Sequence, residues 1–242
     1  PYEFIQENLA MELNVIGESF GQGVQRLIFL GSSCIYPRDA PQPLKEEYLL
    51  TGPLEETNRP YALAKIAGIE LCRSLNREHG TSYLSLMPTN MYGPGDNFDL
   101  QTSHLVPALL RKFHEAKTSG GPVVLWGTGT PRRELMHVDD LAAAVCLLIE
   151  GDDWSHIPDG LVNIGTGEDC TIAELAAIVR RVVGYEGEIT WDRSKPDGTP
   201  QKRLDVSRAR SMGWKPRIGL EEGLTLTYDW FVQSFVTGEG WK

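Results

Sequence analysis

Arg26-Leu27-Ile28-Phe29-Leu30-Gly31-Ser32-Ser33 is the stretch on which the fold turns. It is short and apolar and stops in a Gly-Ser-Ser cluster, the pattern of a buried parallel strand leaving a sheet that is covered on its faces. Ahead of it lies a helical pattern with Phe4, Leu9, Leu13 and Ile16 near one face. Behind it, residues 32 to 60 are rich in Pro, Gly and acidic side chains and read as a long loop. A helix from about Pro60 to Gly80 follows, because Ala62, Ala64, Ala67 and Leu71 favour helix and Gly80 can end it.

The alternation then continues. Tyr83 to Met87 reads as a strand, Leu105 to Ala116 as a helix, Val123 to Trp126 as a strand, Gly127 to Pro131 as a turn and Asp139 to Ile149 as a helix. Gly160 to Ile164 is a third buried strand, and Thr171 with Glu174 forms a capping box for a helix over Ile172 to Val182. From Glu188 to Trp241 the pattern gives a short strand, a Lys195-Pro196-Asp197-Gly198 turn and two further helical stretches. Strand and helix alternating at this pace predict an α/β fold. No internal repeat or low-complexity tract interrupts it.

With 242 residues, 41% of them apolar, the chain can bury a substantial core. A formal charge of −10 argues against a sequence-independent nucleic-acid binder, which needs a broad basic face. Any anionic ligand must therefore be held by local basic groups. Cys34, Cys72, Cys146 and Cys170 lie far apart and suggest neither a zinc site nor a disulfide framework, so a reducing cytoplasm is the expected setting. No apolar run approaches the roughly 18 residues of a membrane span. The chain opens on Pro1 in a helical pattern rather than on methionine, which is expected of a fragment.

Chemistry concentrates in Tyr61-Ala62-Leu63-Ala64-Lys65. Four residues apart on a helix, the phenol and the ammonium share a face, so the ammonium is expected to favour the phenolate. Such a phenol can protonate a carbonyl oxygen as hydride arrives on its carbon. Ser32 falls just past a predicted central strand, at the carboxyl edge where open α/β sheets bind ligands. A plain turn at Ser32 and Ser33 is the alternative.

The stretches Leu30-Gly31-Ser32-Ser33-Cys34-Ile35-Tyr36-Pro37, Pro60 to Lys65 and Pro88-Thr89-Asn90-Met91-Tyr92-Gly93-Pro94 resemble the serine, Tyr-x-x-x-Lys and post-strand motifs of extended short-chain dehydrogenases. Cys34, Gly95-Asp96-Asn97-Phe98, Ser103-His104, Trp126-Gly127 with Arg133, and Lys195 to Thr199 are similar to the GDP-L-fucose synthase branch. The similarity runs over nearly the whole chain. One part of the pattern has no counterpart: no G-x-x-G-x-x-G follows a strand and opens a helix, and Gly165-Thr166-Gly167 lacks the third glycine. The resemblance thus implies an N-terminally incomplete, Rossmann-type parallel sheet with helices, plus a smaller α+β substrate-binding domain. Residues 1–90 and 131–165 would belong to the NADP-binding part, and 91–130 and 166–242 to the nucleotide-sugar-binding part.

The same resemblance implies conversion of GDP-4-keto-6-deoxy-D-mannose into GDP-L-fucose, by epimerisation at C3 and C5 and then reduction of the C4 ketone with NADPH, in a homodimer. On these residues, Tyr61 would be the proton donor, Lys65 would hold the nicotinamide ribose, Ser32 would orient the ketone, and Cys34 and His104 would be the base and acid of epimerisation. Pro88, Thr89, Asn90, Met91 and His104 would lie along the cofactor. Lys112, Trp126, Arg133 and Asp197 would meet the GDP moiety, with Lys202 and Asn58 near the sugar. Arg133 suits a diphosphate because a guanidinium offers paired donors, whereas Trp126 ending a strand and Asp197 in a Pro-Asp-Gly turn also have purely structural readings. His79 and His114 read as helix-surface residues, and His137 as helix-entry structure. Another nucleotide-sugar epimerase or dehydratase, or a non-catalytic nucleotide-binding scaffold, are the competing readings.

Overall fold

In the computed structural model, which describes residues 1–151, 154 and 156–236, the elements run α1 (Tyr2–Gly21), β1 (Arg26–Leu30), α2 (Arg59–His79), β2 (Ser82–Pro88), β3 (Asn90–Tyr92), α3 (Leu105–Ser119), β4 (Val123–Trp126), β5 (Arg132–Arg133), β6 (Leu135–His137) and α4 (Val138–Glu150). They continue with β7 (Leu161–Ile164), β8 (Cys170–Thr171), α5 (Ile172–Val183), β9 (Ile189–Asp192), β10 (Gln201–Lys202), α6 (Ser207–Ser211) and α7 (Leu220–Val236). Trp241 lies outside the described residues. The chain divides into two units: residues 1–89, 141–167 and 203–215 in the first, and 90–140, 168–202 and those from Pro216 on in the second.

In the first unit, β1, β2 and β7 form a parallel sheet in that order, with Leu30 opposite Leu86 and Ser85 opposite Leu161. β7 is buried throughout and β2 across its interior, as their near-continuous apolar sequences require. The expectation of a buried strand at Arg26–Gly31 is corrected in part. β1 is an edge of this sheet, and of its residues only Phe29 is buried.

α1 packs along α2, but through a face other than the one its apolar residues suggest. Ile5, Leu9, Glu12 and Ile16 turn inward, while Phe4 and Leu13 are 60% and 53% exposed. Each residue turns a helix by about 100°, so admitting Glu12 to the buried stripe rotates Leu13 out of it. Where α1, α2 and β1 converge, α2 carries Gly68. A Cβ there would stand 2.4 Å from Phe29 Cζ and 3.0 Å from Glu12 Oε2.

The loop after β1 is less free than its composition suggests. Leu44 N donates to Arg203 O at 2.7 Å and Asp205 N to Leu44 O at 2.8 Å, so residues 203–215 join this unit. Asn163 on β7 donates its backbone N–H to Glu46 Oε1 at 2.9 Å.

The second unit is built on α3, α5 and α7, whose Leu110, Phe113, Leu175, Val179, Leu224 and Phe231 share one core. Around them lie the parallel pairs β3–β6 and β4–β9 and the mixed sheet β10-β5-β8. The Thr171–Glu174 capping box is present in full. Residues 131–140 were expected with the first unit, yet β5 and β6 pair with β10, β8 and β3, and that pairing carries them into the second. His114 is likewise not a surface residue. It is half-buried, its Nδ1 lies 2.9 Å from Tyr228 Oη, and its ring packs edge-on to Phe231, because α7 covers it. His137 does close β6 at the start of α4, its Nδ1 accepting from Asp139 N at 3.3 Å.

Candidate active site

Ser32, two residues past the end of β1, is extended and caps the short turn Ser33–Ile35, its Oγ accepting from Cys34 N at 3.2 Å. The first turn of α2 delivers the Tyr61 phenol to the carboxyl edge of the sheet, close enough for that hydroxyl and Cys34 to bear on its proton affinity. One turn further along α2, Lys65 places Nζ 5.7 Å from the Tyr61 ring centroid, 5.0 Å from that of Phe29 and 3.1 Å from Glu12 Oε1. Ser32, Cys34, Tyr61 and Lys65 thus stand together in the first unit, and all four are partly open to solvent.

The electrostatics correct one expectation. The phenol is held above its ordinary value, chiefly by burial and next by Cys34, with the Ser32 hydroxyl pulling the other way and Glu12 adding to the rise. Burial outweighs the groups around the phenol, and the Lys65 ammonium, 5.7 Å from the Tyr61 ring centroid, stands 3.1 Å from Glu12 Oε1. A phenol that keeps its proton is the form that can donate one.

Pro88 and Thr89 close β2 beside this cluster, Thr89 N donating to Ile164 O at 3.0 Å. Asn58 precedes α2 and is exposed, and its amide donates to Glu55 Oε2 at 2.9 Å.

The second unit gathers the other candidates. Asn90 donates its side-chain amide to Glu134 O at 3.0 Å, and Met91 beside it is half-buried. His104 is exposed at the start of α3, where its imidazole helps to lower the Asp96 carboxyl that burial pushes up. At the end of β4, Trp126 is 64% exposed, with the ammonium of Lys112 5.4 Å and that of Lys195 5.6 Å from its ring. Trp126 is therefore a surface ring and not core.

Arg133 is half-buried in β5. Its Nη1 donates to Arg132 O at 2.8 Å and Thr199 O at 2.6 Å, and burial alone lowers the guanidinium, since no carboxylate offsets it among the described residues. Lys202 sits opposite it in register on β10. Asp197 has structural work: Oδ1 accepts from Thr128 N at 2.6 Å and Oδ2 from Thr128 Oγ1 at 2.8 Å. Gly127 makes room for this, since a Cβ on it would stand 2.2 Å from Asp197 Oδ1.

A nicotinamide cofactor fits the residues present in the first unit. An ammonium carries three N–H donors, and with Glu12 on one side Lys65 retains donors for ribose hydroxyls. Tyr61 and Ser32 open beside it at the sheet edge. Reading the sequence for motifs missed Glu12. The signal was available, as an acidic residue at helical spacing within the apolar set Ile5, Leu9 and Ile16.

The pattern of the NAD dependent epimerase/dehydratase family matches residues 1–165. The chain is 52% identical over 240 residues to the GDP-L-fucose synthase of Escherichia coli (strain K12), covering 97% of this chain and 75% of that protein. It is 52% identical over 235 residues to GDP-L-fucose synthase 1 of Arabidopsis thaliana, covering 97% and 72%. Among solved structures, the GDP-L-fucose synthetase of Naegleria fowleri bound to NADP superposes with a TM-score of 0.88 at 25% identity, covering 98% of this chain and 75% of that one. The GDP-mannoheptose C4 reductase of Campylobacter jejuni with NADP bound superposes with a TM-score of 0.86 at 37% identity, covering 95% and 76%.

Proposed function

The chain belongs to the NAD dependent epimerase/dehydratase family, in its GDP-L-fucose synthase branch, and from that premise we propose that it carries out the NADPH-dependent conversion of GDP-4-keto-6-deoxy-D-mannose to GDP-L-fucose. The observation that carries the reading is the gathering of Ser32, Cys34 and Tyr61 at the sheet edge, with the Lys65 ammonium 5.7 Å from the Tyr61 ring centroid.

NADPH, when bound, supplies the hydride. Tyr61 gives its proton to the C4 oxygen, and its raised affinity for that proton keeps it in the donor form. Ser32 holds the same oxygen, and Lys65 holds the nicotinamide ribose and steadies the phenolate that the transfer leaves. Before reduction, protons beside the ketone are exchanged: Cys34 removes them as base, and His104 returns them as acid. Pro88, Thr89, Asn90 and Met91 border the nicotinamide through their backbone, because the side chain of Asn90 is engaged with Glu134. Arg133, with Lys202 beside it, takes the diphosphate charge. Lys112 and Trp126 line the nucleotide, Asp197 shapes that wall through Thr128, and Asn58 lies toward the sugar.

The active species in this reading is a homodimer in the cytoplasm. On α1, Tyr2 and Leu13 on one flank and Phe4, Met11 and Val15 on the other are each more than half exposed. No described helix is long and apolar enough to cross a membrane. The test is to supply the full-length protein with GDP-4-keto-6-deoxy-D-mannose and NADPH. Oxidation of NADPH with formation of GDP-L-fucose is expected, and no oxidation defeats the proposal.

A further inference from the structure

Glu12 is a buried carboxylate that the reaction scheme above leaves unused. Its side chain is 5% exposed and that of Lys65 15%, and Oε1 stands 3.1 Å from Nζ. Among the described residues no other donor reaches either carboxylate oxygen. An aliphatic side chain would serve the packing of α1 on α2 at least as well, since Ile5, Leu9 and Ile16 complete the same stripe, and an ionised carboxylate is costly to bury unless it is paired. Gly68 keeps the space open on the α2 side.

We infer that Glu12 is a positioning residue of the reduction step: across 3.1 Å it holds the Lys65 ammonium and, with it, keeps the proton on the Tyr61 phenol. The inference rests on the reading of Tyr61 as proton donor. Among the described residues, Glu12 acts on Lys65, Tyr61 and Cys72, all from α2, and the Phe29 ring of β1 lies with Glu12 against Gly68. An unopposed ammonium beside Tyr61 would draw the phenol toward phenolate. The carboxylate cancels that pull, so the acid stays loaded at the pH of the reaction.

Glu12→Gln keeps the shape and removes the charge. In the cofactor-free full chain, the ultraviolet phenolate titration of Tyr61, obtained by subtracting the Tyr61→Phe curve, is expected to move to lower pH. In the complete enzyme the alkaline limb of kcat/KM for ketone reduction moves the same way, by on the order of one pH unit and hence about tenfold in rate on that limb. The pH profile of proton exchange at C3 and C5, which does not use the phenol, stays in place. Glu12→Asp retains the charge and is expected to titrate with the wild type. A Gln variant with unmoved titration and unmoved limb, or an Asp variant displaced as far as Gln, overturns the assignment and leaves Glu12 a packing residue. Failure of the wild type to oxidise NADPH would instead strike the proposed reaction, and the cofactor-free titration would still decide the part played by Glu12.

Discussion

The phenol of Tyr36 donates a hydrogen bond to Asn163 Oδ1 across 2.5 Å, with both side chains buried. Asn163 in turn donates its amide to Leu44 O at 2.9 Å and to Asp205 O at 3.1 Å. The segment that presents Ser32 and Cys34 is thereby tied to β7. Tyr36→Phe removes the donor and leaves Oδ1 unsatisfied in the interior, at a cost of about 1–3 kcal/mol. Thermal unfolding should start lower by about 2–4 °C per kcal/mol. A midpoint equal to that of the wild type would show that the tie contributes nothing.

Proton donation and proton exchange separate genetically. Tyr61→Phe is expected to reduce the rate of ketone reduction by about 10²–10⁴-fold, while deuterium from solvent still enters C3 and C5. Cys34→Ala should block that deuterium uptake. Mass spectrometry of the recovered sugar reads both, and a Tyr61→Phe enzyme that reduces normally removes Tyr61 from its role.

Arg133 is a half-buried cation resting on two carbonyl oxygens. Arg133→Met should weaken binding of GDP by about 10–100-fold, the value of a charge-assisted contact worth roughly 1.5–3 kcal/mol. Arg133→Lys keeps the charge without the paired donors and should fall between. Calorimetry with GDP gives the order, and equal affinities across the three proteins would refute the diphosphate assignment.

Glu46 sets a pH dependence of stability. Burial raises its carboxyl above the ordinary 4.5, and the Asn163 N–H and the Arg208 guanidinium, 3.8 Å away, offset this only in part. A proton bound more tightly in the folded than in the unfolded state contributes stability that is lost as pH climbs from the ordinary value through the folded one. Glu12 acts with the same sign. Glu46→Gln should therefore flatten the decline of the melting temperature as pH rises above the ordinary carboxylate value. Parallel slopes for variant and wild type would contradict this origin.

What could be read from the sequence was local. The boundaries of α2, with Gly80 in the left-handed region at its end, and the Thr171–Glu174 capping box depend on residues a few positions apart. The catalytic cluster was legible because Tyr61 and Lys65 share a helix and Ser32 comes just after a strand. The edge position of β1, the covering of His114 by α7 and the joining of residues 203–215 to the first unit depend on partners distant in the chain, as Leu44 and Leu204 illustrate. Glu12 was hidden for a different reason. Hydrophobic periodicity counts apolar residues, and a charge that earns its burial through an ion pair breaks that count.

The close fit at Gly127 carries an evolutionary corollary. Since Gly127 stands at φ +77° and a Cβ there would meet Asp197 Oδ1 at 2.2 Å, every coding change at this codon that alters the amino acid both strains the backbone and pushes the Asp197 carboxylate off Thr128. Lineages that drift freely at neighbouring surface positions should remain frozen at this one, or replace both residues together.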